Sequence, residues 1–169
     1  QMLAEYLLAA ESEPNNPAWQ AGIGTAYAKR GDLNTALTAF QRAVDLAPND
    51  ATYRRLLAVF CAENNVYAEE IGLPAALEAV RLAPESAEML DALGLAYFST
   101  GRFANAEQSF LKALEITPDY FLAHIHLAVN YLAQGNRIAA LNSLTLVRDA
   151  DTSGVYGEMA AQLLERHFP

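Results

Sequence analysis

The stretch that decides the fold is AEMLDALGLAYFS-TGR-FANAEQSFLKALEI, residues 87–116. On both sides of the short TGR turn, apolar residues recur every three or four positions, which is the spacing of one helical face. Gly101 allows a left-handed backbone in the turn at little steric cost. Pro118 follows the second run and cannot continue a helix. The stretch therefore predicts helices over 87–99 and 103–116, which must be antiparallel because the turn is so short.

The same signals return along the chain with a period of 34 or 36 residues. Three sets of markers share the intervals 34, 36 and 34: Pro14, Pro48, Pro84 and Pro118; Gly31, Asn65, Gly101 and Gly135; and Gly24, Ala58, Gly94 and Ala128. A fixed period of this size is typical of helical repeat arrays. No segment alternates with period two over a useful length, so the prediction is an all-α chain without strands.

Two of the repeated units carry a series of residues that resembles the tetratricopeptide repeat (TPR) family. The two series are Leu93, Gly94, Tyr97, Gly101, Ala106, Phe110, Ala113 and Pro118, and Ile23, Gly24, Tyr27, Gly31, Ala36, Phe40, Ala43 and Pro48, with Trp19 near the start of the second. The physical logic agrees, since the small residues let two helices approach and the aromatic residues fill the space between them. The resemblance covers roughly residues 1–150. It implies a right-handed α-solenoid of antiparallel helix pairs, whose concave surface binds other proteins.

We expect residues 1–169 to form a single TPR-like domain. The markers divide it into six segments. Residues 1–16 match only the second helix of a truncated repeat; repeats cover 17–50, 51–86, 87–120 and 121–150; and 151–169 forms a capping helix. Because the chain starts in mid-repeat, we expect it to be a fragment of a longer protein. Asp151, Thr152 and Ser153 are good residues to begin the capping helix. We expect its buried stripe to be Val155, Met159, Leu163 and Leu164.

The unit over 51–86 is irregular. Two extra residues lie between Asn65 and Pro84, Cys61 stands where the other units have Tyr, and Ala76 stands at the position of Phe40 and Phe110. Pro74 fits best in the first turn of a helix. We therefore expect a lengthened loop at 66–72 and a shorter second helix from about Leu73. The loop is either neutral surface variation or a further contact site for a partner.

The composition excludes several classes of function. There are 11 basic and 20 acidic residues, a net charge of −9, so no basic face is available to bind nucleic acid, and anionic membranes are disfavoured. A single cysteine excludes a disulfide framework. No apolar run reaches the roughly 18 residues of a membrane span. We expect no direct membrane insertion and a soluble domain, with a cytoplasmic location slightly favoured and export of the parent protein left open.

No residues assemble into a catalytic, cofactor or metal site. His124 and His126 are two apart on a predicted helix and point to nearly opposite sides, so they cannot share a metal ion. We expect one to be partly buried and the other exposed. Cys61 is expected to be buried and inert. Phosphate-binding glycine loops and zinc-protease motifs are absent from the sequence. The sequence therefore predicts a protein that is not an enzyme and has no cofactor.

The resemblance places a binding groove on the first helix of each repeat. Under ordinary TPR geometry the face turned away from each repeat core becomes more apolar towards the C-terminus. We expect the partner-binding residues to be Arg55, Val59, Glu88, Asp91, Leu95, Phe98, Leu122, Ile125, Val129 and Leu132. Glu88 and Asp91 give this groove an acidic rim, which favours a partner with some positive charge.

The apolar end of the groove has three possible occupants. A contiguous exposed apolar patch usually marks a binding site, so a helix or extended segment of a partner protein is favoured. Residues 154–167 of the same chain, or a second copy in a homodimer, are the alternatives. We therefore expect a protein-interaction scaffold or adaptor. The alternative is a regulatory or targeting domain of a larger enzyme or membrane-associated assembly.

Overall fold

The computed structural model describes residues 2–152 and 154–169, apart from the side chain of Met2, and every regular element in this part is helical. Gln1 and Ser153 lie outside the described residues, so the expectation that Ser153 begins the last helix is not addressed. The α-helices are α1 (Met2–Ser12), α2 (Pro17–Lys29), α3 (Leu33–Leu46), α4 (Ala51–Asn64), α5 (Leu73–Leu82), α6 (Ala87–Ser99), α7 (Phe103–Ile116), α8 (Phe121–Ala133), α9 (Arg137–Ala150) and α10 (Val155–His167). The all-α fold is confirmed, and α6 and α7 have the bounds that the sequence predicts.

The chain forms two compact units, residues 1–84 and 85–169, which we call unit 1 and unit 2. In each unit, consecutive helices pack against each other. Short polar side chains begin several helices: Asp32 accepts from the Thr35 amide at 3.2 Å and Asn136 from the Ala139 amide at 3.2 Å. These bonds satisfy amides that have no partner inside the helix. Gly101 has a φ of 73°, as the predicted turn requires.

The core of unit 1 is built around Phe40. Its ring lies against Gly24, where a Cβ would be 3.0 Å from the ring carbons. The ring centroids of Phe40 and Phe60 are 5.0 Å apart. Both aromatic side chains are buried. The small residue on one helix and the aromatic residue on the next therefore form a complementary pair, as the repeat pattern predicts.

The prediction of a lengthened loop at 66–72 is wrong. Ala68–Gly72 forms one π-helical turn that continues directly into α5, and the Gly72 amide donates to the Tyr67 carbonyl at 3.0 Å. Asn65 and Tyr67 have left-handed φ values of 51° and 47°. A widened helical turn absorbs extra residues without leaving backbone groups unbonded. The predicted start of the second helix at Leu73 is confirmed.

The core of unit 2 repeats the arrangement of unit 1. The fully buried Phe110 ring lies so close to Gly94 that a Cβ there would overlap it. Buried Asn130 on α8 donates to the Phe103 carbonyl at the start of α7, at 3.1 Å. The glycine therefore sets how closely α6 and α7 approach, and the asparagine ties the next helix to this pair.

The last helix, α10, packs against α9 and α8. Its buried face differs from the expected stripe: Gly157, Ala160 and Leu164 are buried, whereas Val155 is 70% exposed and Met159 38% exposed. The reason lies at the start of the helix, where Asp151 Oδ2 accepts from the amides of Tyr156 and Gly157 at 3.1 and 3.0 Å. A Cβ at Gly157 would overlap the Asp151 backbone, so this contact turns the glycine face inward. The capping role of α10 stays a prediction.

Candidate functional site

The structure distributes the ten expected groove residues over both units. Arg55 and Val59 lie in unit 1 and the other eight in unit 2. Glu88 is exposed, and most of the others are half-buried, as expected for a surface that is partly covered by its neighbours. Two are buried: Asp91 is 4% exposed and Ile125 is 3% exposed. The prediction that these two side chains lie open on a groove is therefore wrong.

Asp91 is buried because it faces the next first helix of the same unit. Its Oδ1 atom lies 2.8 Å from Nδ1 of His126 on α8. The His126 ring also lies 5.8 Å from the ring of Phe110, measured between centroids. Asp91 is therefore a link between α6 and α8 and not part of an acidic rim. A buried carboxylate needs such a partner because its desolvation is costly.

Ile125 is buried where α9 and α10 both pack against α8. It belongs to a core cluster with Leu144 and Val147 of α9 and Leu164 of α10. The interpretation that residues 154–167 cover the apolar face of α8 thus accounts for Ile125. Val129 and Leu132, one and two turns further along α8, remain half-buried.

Three of the expected residues line one open cavity within unit 2. We call this cavity, of about 580 Å³, the C-terminal trough. The expected residues in its lining are Phe98, Val129 and Leu132; Leu95 and Leu122 lie outside it. The complete lining is Phe98, Val129, Leu132, Ala133, Gly135, Arg137, Leu163, Arg166 and His167. Phe98 is held in place by the Phe103 ring, 5.5 Å away between centroids. The trough thus joins apolar side chains from α6, α8 and α10.

The charged side chains in the lining of the trough are two arginines, which differs from the expected acidic rim. Arg137 at the start of α9 and Arg166 near the end of α10 both line it. Arg137 donates to the His167 carbonyl, and its guanidinium lies 4.7 Å from the centroid of the Phe168 ring. This arginine therefore anchors the end of α10. Arg166 is exposed.

Leu163 and Arg166 line the trough without having been predicted to do so, although the chain carries a signal for both. Leu163 follows Val129 by 34 residues, and Arg166 follows Leu132 by 34. The repeat period therefore continues into α10. Treating α10 only as a cap, with Leu163 buried, concealed this register.

In unit 1, Val59 lines a separate cavity of about 350 Å³ between α2 and α4, together with Thr25, Lys29 and Glu63. Arg55 lies outside its lining. A larger hollow of about 680 Å³ lies between α1, α2 and α3, and its rim mixes Glu11 with Arg42 and several neutral polar residues. Both of these rims combine acidic and basic side chains. The lining of the C-terminal trough carries charges of one sign only, so the trough is the better candidate site although the hollow has the larger volume.

The residues that carry reactive groups are held in structural contacts. Burial raises the pKa of the Cys61 thiol to about 11, and this residue packs against Gly72. A thiol with that pKa is a poor nucleophile at neutral pH. His124 lies 2.9 Å from the Pro118 carbonyl, and both His124 and His126 are half-buried, which corrects the expectation that one is exposed. Within the described residues, no three His, Cys, Asp or Glu side chains are grouped closely enough to hold a metal ion.

Family comparisons agree with the fold. The family model described as "Tetratricopeptide repeat" matches residues 3–51 and 21–74, and the model described as "TPR repeat" matches residues 94–135. The CTR9 homolog of Arabidopsis thaliana is 25% identical over 166 residues, which are 96% of this chain and 15% of that protein. The chain therefore spans about a seventh of the length of that relative.

Among the described residues, no helix is long and apolar enough to cross a bilayer.

Solved structures show the same architecture. TTC0263 of Thermus thermophilus, a thermophilic TPR protein, has a TM-score of 0.82 at 22% identity and covers 96% of this chain and 88% of its own. MamA of Desulfovibrio magneticus RS-1 has a TM-score of 0.69 at 25% identity, covering 90% and 85%. YrrB, described as a TPR protein with an unusual peptide-binding site, has a TM-score of 0.65 at 21% identity, covering 95% and 81%.

Proposed function

The chain is a member of the tetratricopeptide repeat family, and on that premise we propose that its C-terminal trough binds an apolar segment of a partner protein. TPR proteins are generally protein-interaction scaffolds, and their fold is typically non-enzymatic. The likeness to YrrB concerns the fold alone. The proposal for this chain therefore depends on the chemistry of its own trough.

The observation that carries the proposal is the group of half-buried apolar side chains around the trough. Phe98, Val129, Leu132 and Leu163 come from three helices and line one cavity. A cavity of this size accepts two or three apolar side chains of a peptide, and removing them from water supplies roughly 25 cal/mol per Å² of apolar surface. The rigid packing of Phe98 on Phe103 and of α10 on α8 keeps the trough formed before a partner binds.

The other expected groove residues keep a secondary place in the proposal. Leu95, Leu122 and Glu88 lie in unit 2 outside the trough, and we assign them to contacts with residues flanking the bound segment. Arg55 and Val59 belong to a separate surface of unit 1. A homodimer, in which a second copy supplies the bound segment, is one outcome of the test below.

The test uses Val129→Glu, with Ile138→Glu as its matched control. Val129 lines the trough, whereas Ile138 is 75% exposed on α9 outside it. Each variant replaces one aliphatic side chain with one carboxylate, so the two differ chiefly in where the charge is placed. A partner recovered from lysate of the source cells is purified, and its Kd is measured with each variant. Burying a carboxylate in an apolar site should weaken binding at least about tenfold, which is about 1.4 kcal/mol.

Circular dichroism confirms that both variants are folded, and light scattering reports any dimer. Equal Kd values for wild type and Val129→Glu would place the contact outside the trough. Loss of a dimer in Val129→Glu alone would identify a second copy as the occupant.

A second candidate function is a regulatory or targeting domain of a larger enzyme or membrane-associated assembly. It is supported by the CTR9 homolog, in which the matching region is only 15% of the whole protein. An antibody against this chain should then detect a source-cell protein well above 18.3 kDa on a denaturing gel. A single band near that mass would contradict this candidate.

A further inference from the structure

We infer, resting on the proposed function, that the segment selected by the C-terminal trough carries an Asp or Glu side chain beside its apolar residues, and that Arg166 binds this carboxylate.

Charge is distributed unevenly over unit 2. The whole chain has a net charge of −9, and unit 2 has five Lys and Arg residues against ten Asp and Glu residues. Two of those five cations nevertheless line the trough, and no carboxylate of the described residues does. An acidic protein that gathers cations around one apolar cavity presents a local field opposite to its overall charge. Such a field attracts acidic segments over roughly 8 Å at physiological ionic strength.

The two arginines of the trough differ in their contacts. Arg137 is already engaged by the His167 carbonyl and the Phe168 ring. In the described part of the chain, Arg166 has neither a hydrogen bond nor an ion pair. The residues three and four positions before it on α10 are Leu163 and Gln162, so no acidic side chain is placed there to pair with it along the helix. Arg166 is therefore the cation of the trough that is available to a ligand.

The apolar and cationic contacts of α10 lie at a distance that suits neighbouring residues of one peptide. Leu163 and Arg166 are neighbours on one face of α10, with about 5–6 Å between the Cβ atoms of such a pair. An extended peptide rises about 3.3 Å per residue, so its acidic residue should lie about two positions from the apolar side chain that contacts Leu163. The guanidinium can then form two parallel hydrogen bonds to the carboxylate, a geometry that lysine cannot provide.

The test uses three synthetic peptides as probes. Each is an acetylated and amidated 12-mer with the same Leu- and Phe-containing core, flanked on both sides by Glu, Ser or Lys; blocked ends remove any terminal carboxylate. Fluorescence anisotropy gives the Kd of each peptide for the full chain. We expect the Glu-flanked peptide to bind about three- to tenfold more tightly than the Ser-flanked one, and the Lys-flanked peptide most weakly.

Two variants separate a specific contact from general charge. Arg166→Glu should reverse the order of the three peptides, while Arg148→Glu should preserve it. Arg148 is a matched control because it is an exposed arginine of unit 2 outside the trough, and its loss changes the net charge equally. Raising the salt concentration should reduce the preference for the Glu-flanked peptide.

A third variant, Arg166→Lys, tests the geometry of the contact. It keeps the positive charge but removes the planar group that can form two parallel hydrogen bonds to one carboxylate. We expect it to lose most of the preference for the Glu-flanked peptide. A preference equal to that of the wild type would contradict the bidentate contact.

The outcomes distinguish this inference from the proposed function. Equal affinity for the three peptides, or a Glu preference that survives Arg166→Glu, would overturn the role of Arg166 while leaving the apolar trough in place. A further control peptide has Ser in place of the Leu and Phe residues of the core. If the peptides with the apolar core bind no more tightly than this control, both the role of Arg166 and the proposed function of the trough are contradicted.

Discussion

At the scale of single residues, the contact between Asp91 and His126 determines how two helices of unit 2 meet. The Asp91 side chain is 5% exposed and that of His126 is 18% exposed, with 2.8 Å between Oδ1 and Nδ1. Removing one partner leaves a buried polar group unpaired, whereas removing both costs less, because no unsatisfied group remains. This asymmetry gives the contact a measurable signature.

We predict that Asp91→Leu and His126→Leu, made separately, each lower the free energy of unfolding by about 2–3 kcal/mol. The double variant should lose clearly less than the sum of the two. Urea denaturation followed by circular dichroism measures all three free energies. Glu115→Leu serves as the control, since Glu115 is an exposed carboxylate on α7. Additive losses in the double variant would show that the two side chains do not stabilise each other.

At the scale of elements, α10 uses a face different from the one that its most hydrophobic residues indicate. Gly157, Ala160 and Leu164 are buried, and the larger Val155 and Met159 point outward. Small residues allow close approach to α9, so tight packing here takes precedence over burying the largest side chains. The same placement leaves Leu163 and Arg166 at the trough.

We predict that Leu164→Ala lowers the free energy of unfolding by about 2–4 kcal/mol, because it opens a cavity in the cluster around Leu144 and Ile125. Val155→Ala, in contrast, should change it by no more than about 0.5 kcal/mol. Thermal and urea denaturation of the two variants provide the comparison. If Val155→Ala lowered the free energy of unfolding by more than Leu164→Ala does, the buried face of α10 would instead be the one that the sequence pattern predicts.

At the scale of the whole molecule, each unit has a core of its own. Unit 2 contains the clusters around Phe110 and around Leu144, all formed by residues after Pro84. In repeat proteins, stability is approximately the sum of contributions from repeats and from neighbouring interfaces. A piece that keeps its internal interfaces should therefore fold.

We predict that a fragment of residues 85–169 is helical and unfolds cooperatively, whereas residues 85–151 aggregate. The shorter fragment lacks α10 and exposes Ile125 and Leu144. Circular dichroism and light scattering of both fragments test the independence of unit 2 and the capping role of α10 together. A monomeric, equally stable 85–151 fragment would refute the capping role, and an unfolded 85–169 fragment would refute the independence.

The helical fold, the ends of α6 and α7 and the start of α5 follow from the sequence alone, because they depend on local periodicity, turn residues and proline. The sequence also placed Phe98, Val129 and Leu132 on one side of their helices. The packing of the helices was needed to show that Asp91 and Ile125 are covered, that Arg166 lies at the trough, and that residues 68–72 form a π-helical turn. The physical reason is that periodicity fixes the direction of a side chain around its own helix axis, whereas its surroundings depend on which residues of the neighbouring helix meet it.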